Sequence, residues 1–133
     1  MIIPSRFMCF GHFVDVIFDS ELMKKNGLMG YTAFEENAIY LQPNVPGMKV
    51  SDSQVLETYL HEACHYILMS LEKEDLNSDE EFVSLYSRLQ HQIISTSEYD
   101  YFALEKEISE ILVNCENDEL RKNELINLFK RYI

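Results

Sequence analysis

The stretch "YLHEACHYI", residues 59–67, carries two histidines four positions apart, with a glutamate directly after the first. On an α-helix, positions i and i+4 lie one turn apart on the same strip, so His61 and His65 can turn two ring nitrogens toward one metal ion. A tetrahedral zinc accepts such a pair, and Glu62 then stands beside the coordination position left for water. Zinc makes that water acidic enough to lose a proton near neutral pH. Glu62 is the group expected to take it as the water attacks a carbonyl. The competing expectation is coincidence, in which a histidine pair on a solvated or hydrogen-bonded helix face binds nothing.

Two histidines do not complete such a site, because a catalytic zinc keeps three protein ligands. "NSDEEFVSLYS" offers Glu80 and Glu81. Ser78 and Glu81 stand in the Ser-x-x-Glu relation of a capping box, which gives Glu81 a structural use. Glu80 lies one turn before Val83 and Ser84 and can follow the inward edge of its helix. Acidic residues at a helix N-terminus are also favoured by the dipole without any metal, so both acids have a structural alternative. Cys64 falls among the apolar positions of its helix and is expected as a buried thiol, not a ligand. Tyr86, His91 and His12 are candidates for stabilising a developing oxyanion, and for each a structural role is the stronger expectation.

These residues need elements to hold them. "SDSQ" places Ser51 and Gln54 in a capping box, with Asp52 in the first turn, so a helix is expected from about Ser51 to Leu71. At roughly 100° per residue, Leu56, Leu60, Ala63, Cys64, Ile67 and Leu71 form its core face, and Glu62 lies away from that face. Upstream, "FMCFGHFVDVIFDS" alternates around Val14, Val16 and Phe18 and suggests one strand. "ELMKKNGLMG" suggests a short helical turn, and "YTAF" and "AIYLQP" flank "EEN" as a β-hairpin. Pro43, Pro46 and Gly47 end that pattern. Downstream, "EKEDLNSDE" reads as a polar connector. A second helix then opens at Asn77 or Ser78, with Phe82, Val83, Tyr86, Leu89 and Ile93 at helical spacing. A third carries Leu104, Ile108, Ile111 and Cys115, and a fourth Leu125, Leu128, Phe129 and Tyr132. The expected class is α+β: a small N-terminal β-sheet, the His-Glu-x-x-His helix, a ligand helix and C-terminal helices. Residues 1–94 would form the core, and 95–133 a helical extension packed on the same domain.

Composition narrows the function classes. A chain of 133 residues suits one domain with a core of its own. Its formal net charge of -12 opposes binding to nucleic acid or an anionic membrane. The terminal cations Arg121, Lys122, Lys130 and Arg131 are mixed with Asp118, Glu119 and Glu124, as on a solvated helix. Three cysteines, an odd number without finger spacing, point to free thiols and a reducing cytoplasm. The N-terminus is interrupted by Pro4, His12 and Asp15 and has no small-residue cleavage site, so it reads as strand and not as a targeting segment. No apolar run is long enough to cross a membrane.

"ETYLHEACHYIL" followed by "DEEFVSLYSRLQHQI" resembles the small phage and prophage zinc-metallopeptidase-like proteins, which are minimal zincins of the gluzincin type. More distantly it is similar to the ImmA/IrrE-type peptidases, which usually carry Gly where Cys64 stands. The resemblance covers about residues 10 to 94, and its specific part is the two helices. It implies a zincin-like fold. The family's Glu-x-x-Val falls on Glu80-Glu81-Phe82-Val83, so the resemblance selects Glu80 as the third ligand beside His61 and His65. The activity implied is zinc-dependent hydrolysis of a peptide or protein substrate in the cytoplasm, with Glu62 as base. In zincins an edge strand pairs with extended substrate, and "AIYLQP" would be that strand. The alternative expectation is a non-catalytic zinc-binding or protein-interaction module on the same fold.

Overall fold

A computed structural model describes residues 3–43, 47, 49–98 and 102–132. Four strands form one mixed sheet in the order β1 (Arg6–Cys9), β2 (His12–Phe18), β4 (Ala38–Leu41) and β3 (Gly30–Ala33). The N-terminal alternation that suggests a single strand is a hairpin. Phe10 and Gly11 both have positive φ (48° and 77°) between the paired residues Cys9 and His12, the two-residue turn whose twist matches antiparallel strands. Helix α1 (Ser20–Asn26) follows, capped by the Asp19 carboxylate, which accepts from the Leu22 amide, and ended by Gly27 in the left-handed region. β3 and β4 are antiparallel around a 3-10 turn at Phe34–Glu36, as the "EEN" spacing suggests.

β4 is not an edge. It pairs with β2 in parallel on one side and with β3 on the other, and Ala38, Ile39 and Leu41 are buried. The edges are β1 and β3. The inward face of the sheet carries Val14, Val16, Ile39 and Leu41, while Phe18, at the end of β2, is half-exposed. β3 directs Thr32 and Gly30 to the same side, opposite Ile39 and Leu41 in register. Pro46 lies outside the described residues, as does the side chain of Tyr132.

Helix α2 (Asp52–Ser70) crosses the inward face. The Ser51 hydroxyl accepts from the Gln54 amide, and the Gln54 side chain accepts from the Ser51 amide, completing the expected capping box. The helix is buried on two sides. Val55, Ala63 and Tyr66 pack on the sheet, while Cys64 and Leu68 pack on Val83. Ile67 and Leu71, expected on a single core face, are exposed, and Glu62 is buried. A one-stripe wheel fails here because sheet and helix approach α2 from different directions.

The connector is ordered as a short helix, α3 (Glu74–Asn77), and α4 (Glu80–Thr96) follows. The expected Ser78–Glu81 capping box does not form. The Ser78 hydroxyl donates back to the Glu74 and Asp75 carbonyls, and the Asp79 carboxylate accepts from the Phe82 amide at the start of α4 instead. Val83 and Ser87 are the buried residues of α4, whereas Tyr86, Leu89 and Ile93, expected on its core stripe, are exposed.

The described chain divides into two compact units, Met1–Thr96 and Ser97–Ile133. The second contains α5 (Phe102–Asn114) and α6 (Asp118–Tyr132). Leu104, Ile108, Ile111 and Cys115, with Glu107, are its partly buried positions on the first helix and the residue after it, and Leu128 is fully buried. Phe129 is exposed. Arg121 pairs with Asp118 and Arg131 with Glu107, so both cations face acids of their own unit. No helix among the described residues is long and apolar enough to cross a membrane.

The anchor between α2 and the sheet is Tyr66. Its ring packs edge-on against Phe7 and tilted on Phe34, and its hydroxyl donates to Asn37 Oδ1 at 2.7 Å. Burial pushes its phenol above the usual range. Tyr66→Phe leaves that carbonyl oxygen without its donor and should cost about 1–3 kcal/mol. Tyr66→Ala also opens a cavity and should cost about 3–5 kcal/mol. Urea denaturation of both variants against the native chain measures the two values.

Candidate metal centre and adjoining groove

His61 and His65 stand one turn apart on the strip of α2 between its two packed faces. Their rings meet at 73° with centroids 4.8 Å apart, and the two Nε2 atoms are 3.2 Å apart. Glu80, the first residue of α4, completes the group. Its Oε2 is 3.3 Å from His61 Nε2 and its Oε1 3.2 Å from His65 Nε2. Val83, one turn further along the same face, is fully buried against Cys64 and Leu68 and pins this end of α4 to α2. Glu81 is exposed, pointing about 100° away from its neighbour. The structure therefore brings His61, His65 and Glu80 together and leaves Glu81 outside.

The spacing admits one shared ion. With zinc–ligand bonds of about 2.0–2.1 Å, the edge of a coordination tetrahedron is roughly 3.3 Å. The two Nε2 atoms stand 3.2 Å apart, close to that edge, and Glu80 sets a different oxygen against each ring; taking one ligand atom from each residue, all three lie within 4.8 Å of one another. Donor chemistry agrees. His65 Nδ1 lies 2.8 Å from Asn77 Oδ1, and an amide oxygen can only accept, so Nδ1 carries the proton. In the neutral ring, Nε2 is then a bare lone pair aimed at His61 and Glu80. The histidines are largely shielded, while the Glu80 side chain is 67% exposed, so the cluster is reached from the solvent side. Among the described residues these are the three side chains that could share one ion.

Asn77 escaped the sequence reading. It sits in what looks like a polar connector, and its role depends on α3, which is too short to leave a periodic signature. Cys64 lies apart from the ligand set, in the apolar cluster with Leu68 and Val83, and burial pushes its thiol upward, so it stays protonated.

Glu62 turns from the histidines toward β3. The Thr32 hydroxyl lies 2.7 Å from Glu62 Oε2 and 2.9 Å from the Glu62 carbonyl oxygen. Beside it runs an open groove of about 400 Å³, walled by Met29 and Gly30 before and in β3, Gln54, Glu57, Thr58, His61 and Glu62 on α2, and Ser84, Ser87 and Arg88 on α4. The groove exists because α4 presents small serines where an apolar stripe would have closed the gap. Arg88 Nε is held by Glu57 Oε1 at 3.2 Å. None of Tyr86, His91 and His12 lines this groove. Tyr86 stacks on Phe82, His91 Nε2 is 3.0 Å from the Ser53 hydroxyl, and His12 lines a different hollow with Phe34 and Tyr66.

The protein is thus an α+β chain with a two-histidine, one-carboxylate cluster beside a groove. Comparison with protein-family models, with curated proteins and with solved structures finds no match.

Glu80→Ala should weaken zinc binding strongly, whereas Glu81→Ala should retain it. Asn77→Ala, which frees the His65 ring, should weaken it by roughly 10- to 100-fold. Competition titrations with a chromophoric chelator rank the three variants against the native chain.

Proposed function

We propose that this protein is a zinc-dependent peptide hydrolase of zincin-like fold. The observation that carries the reading is the convergence of His61, His65 and Glu80 within reach of one ion, with Glu62 beside His61 in the wall of an open groove. The three side chains would hold the zinc. Bound there, zinc would act as a Lewis acid and supply a water acidic enough to be deprotonated near neutral pH. Glu62 takes that water's proton on its carboxylate and returns it to the departing amine nitrogen, which would otherwise leave as a poor anionic group. Asn77 fixes the ring of His65 so that the lone pair at Nε2 points inward.

The substrate side follows from the sheet. β3 is an edge strand bordering the groove, so its outer backbone groups can pair with an extended peptide, in place of the interior strand β4. That favours a peptide or an unfolded segment of a protein over a compact small molecule.

One observation favours a second reading, a zinc-binding module without hydrolysis. Among the described residues of the groove wall there is no tyrosine, and no histidine other than His61, to stabilise an oxyanion. The two readings separate on Glu62. In the hydrolase, Glu62→Gln keeps zinc and fold but loses cleavage by roughly 100-fold or more. Digestion of a peptide library by the zinc-loaded chain, read by mass spectrometry beside Glu62→Gln and chelator-treated controls, measures this. A zinc-loaded native chain that cleaves nothing in the library leaves the non-catalytic reading standing.

A further inference from the structure

We infer that the edge strand β3 is part of the active machinery: Thr32 is a positioning residue that orients the Glu62 carboxylate, and Gly30 leaves the space that carboxylate occupies. This rests on the hydrolase reading, in which Glu62 is the base.

Three observations carry it. First, Glu62 is 8% exposed, although a glutamate on a solvated helix face would extend into water. A carboxylate held that far from solvent needs donors. Second, the Thr32 hydroxyl is the donor, within reach of Oε2 and of the carbonyl oxygen of the same residue. A hydroxyl has one proton to give, and both acceptors within its reach belong to Glu62, so the group is clamped between main chain and side chain. Third, β3 has no side chain where Glu62 passes. A Cβ added at Gly30 would stand 2.8 Å from Glu62 Cγ, 2.9 Å from Oε1 and 2.6 Å from Thr58 Cγ2, closer than such atoms approach. The glycine is needed for this close approach, not for its backbone angles. One carboxylate oxygen is thereby tied to Thr32, and the other is left beside Gly30 in the groove wall that also holds His61.

Alternation along β3 makes this possible. Gly30 and Thr32 share the inward face, opposite Leu41 and Ile39, while the other edge of the strand has no sheet partner among the described residues. The strand that would accept an extended peptide is therefore the strand that sets the base. Pairing with a peptide stiffens β3 and, through Thr32, the carboxylate.

The test uses the full chain loaded with zinc and acetohydroxamate as probe, a small chelating ligand whose hydroxyl proton a zincin base would accept. Affinity is measured by calorimetry, with zinc content and melting temperature measured for every variant. Glu62→Gln and Thr32→Val should each weaken acetohydroxamate by roughly tenfold, with one zinc retained. Thr32→Ser, which keeps the hydroxyl, should restore near-native affinity. Gly30→Ala should weaken binding like Thr32→Val, and the threonine pair decides the matter if the alanine variant does not fold. A Thr32→Val chain that melts lower but binds acetohydroxamate as the native chain does, while Glu62→Gln binds it weakly, reduces Thr32 to a structural tie and overturns the inference. A zinc-loaded native chain that does not bind acetohydroxamate overturns the hydrolase reading and the positioning role with it.

Discussion

The structure of the first unit depends on the burial of α2 from two directions. Val55, Ala63 and Tyr66 are committed to the sheet, and Cys64 and Leu68 to α4. Fully burying an aliphatic or aromatic side chain is worth about 1.5–3 kcal/mol, so these contacts fix the rotation of the helix about its axis. Once that rotation is set, the strip carrying Gln54, Thr58, His61 and His65 can only face the seam between β3 and α4. The histidines therefore need no separate device to aim them. Their partner comes from α4, whose buried Val83 fixes which of the two adjacent acids faces the seam.

The seam stays open because its two walls are built differently. The α4 wall has a buried serine, Ser87, where close packing would call for a larger apolar residue, and the exposed apolar residues of that helix lie on its other sides. The β3 wall is thinned by Gly30. Between them the lining is polar, with the Glu57–Arg88 pair at one side and Glu62 at the other. Burying Glu62 costs solvation, and the Thr32 hydroxyl offsets part of that cost.

Much of this was legible in the chain. The capping box of Ser51 and Gln54 fixes the start of α2, and the i, i+4 histidines then fall on one strip by geometry alone. The "EEN" turn and the helical periods of α5 and α6 are local patterns of the same kind. What was not legible depends on contacts between distant segments. The sheet order, which makes β3 an edge and β4 interior, cannot be read from either strand. The Phe10–Gly11 turn hides because a phenylalanine at positive φ is an unusual choice. The two-sided burial of α2 defeats a single apolar stripe, which is why Glu62 looked solvent-facing and Ile67 looked buried. The cap of α4 moved from Ser78 to Asp79 because α3 claims the Ser78 hydroxyl for its own carbonyls.

The spread of these contacts along the chain has a kinetic consequence. His65 and Asn77 are 12 positions apart, and Glu80 follows three residues later, so the histidine–glutamate cluster closes within one helical hairpin. Thr32 and Glu62 are 30 positions apart and meet only when the sheet has formed and docked. Helical hairpins assemble from local contacts, whereas strand pairing must first close longer loops. The His61, His65 and Glu80 cluster can thus form early, on its own segment, and the Thr32–Glu62 contact arrives with the last-docking part of the fold. If the proposed hydrolase reading holds, a newly made chain would gain affinity for zinc before it gained chemistry, and so would pass through a stage in which it could hold an ion without being able to cut itself or its neighbours.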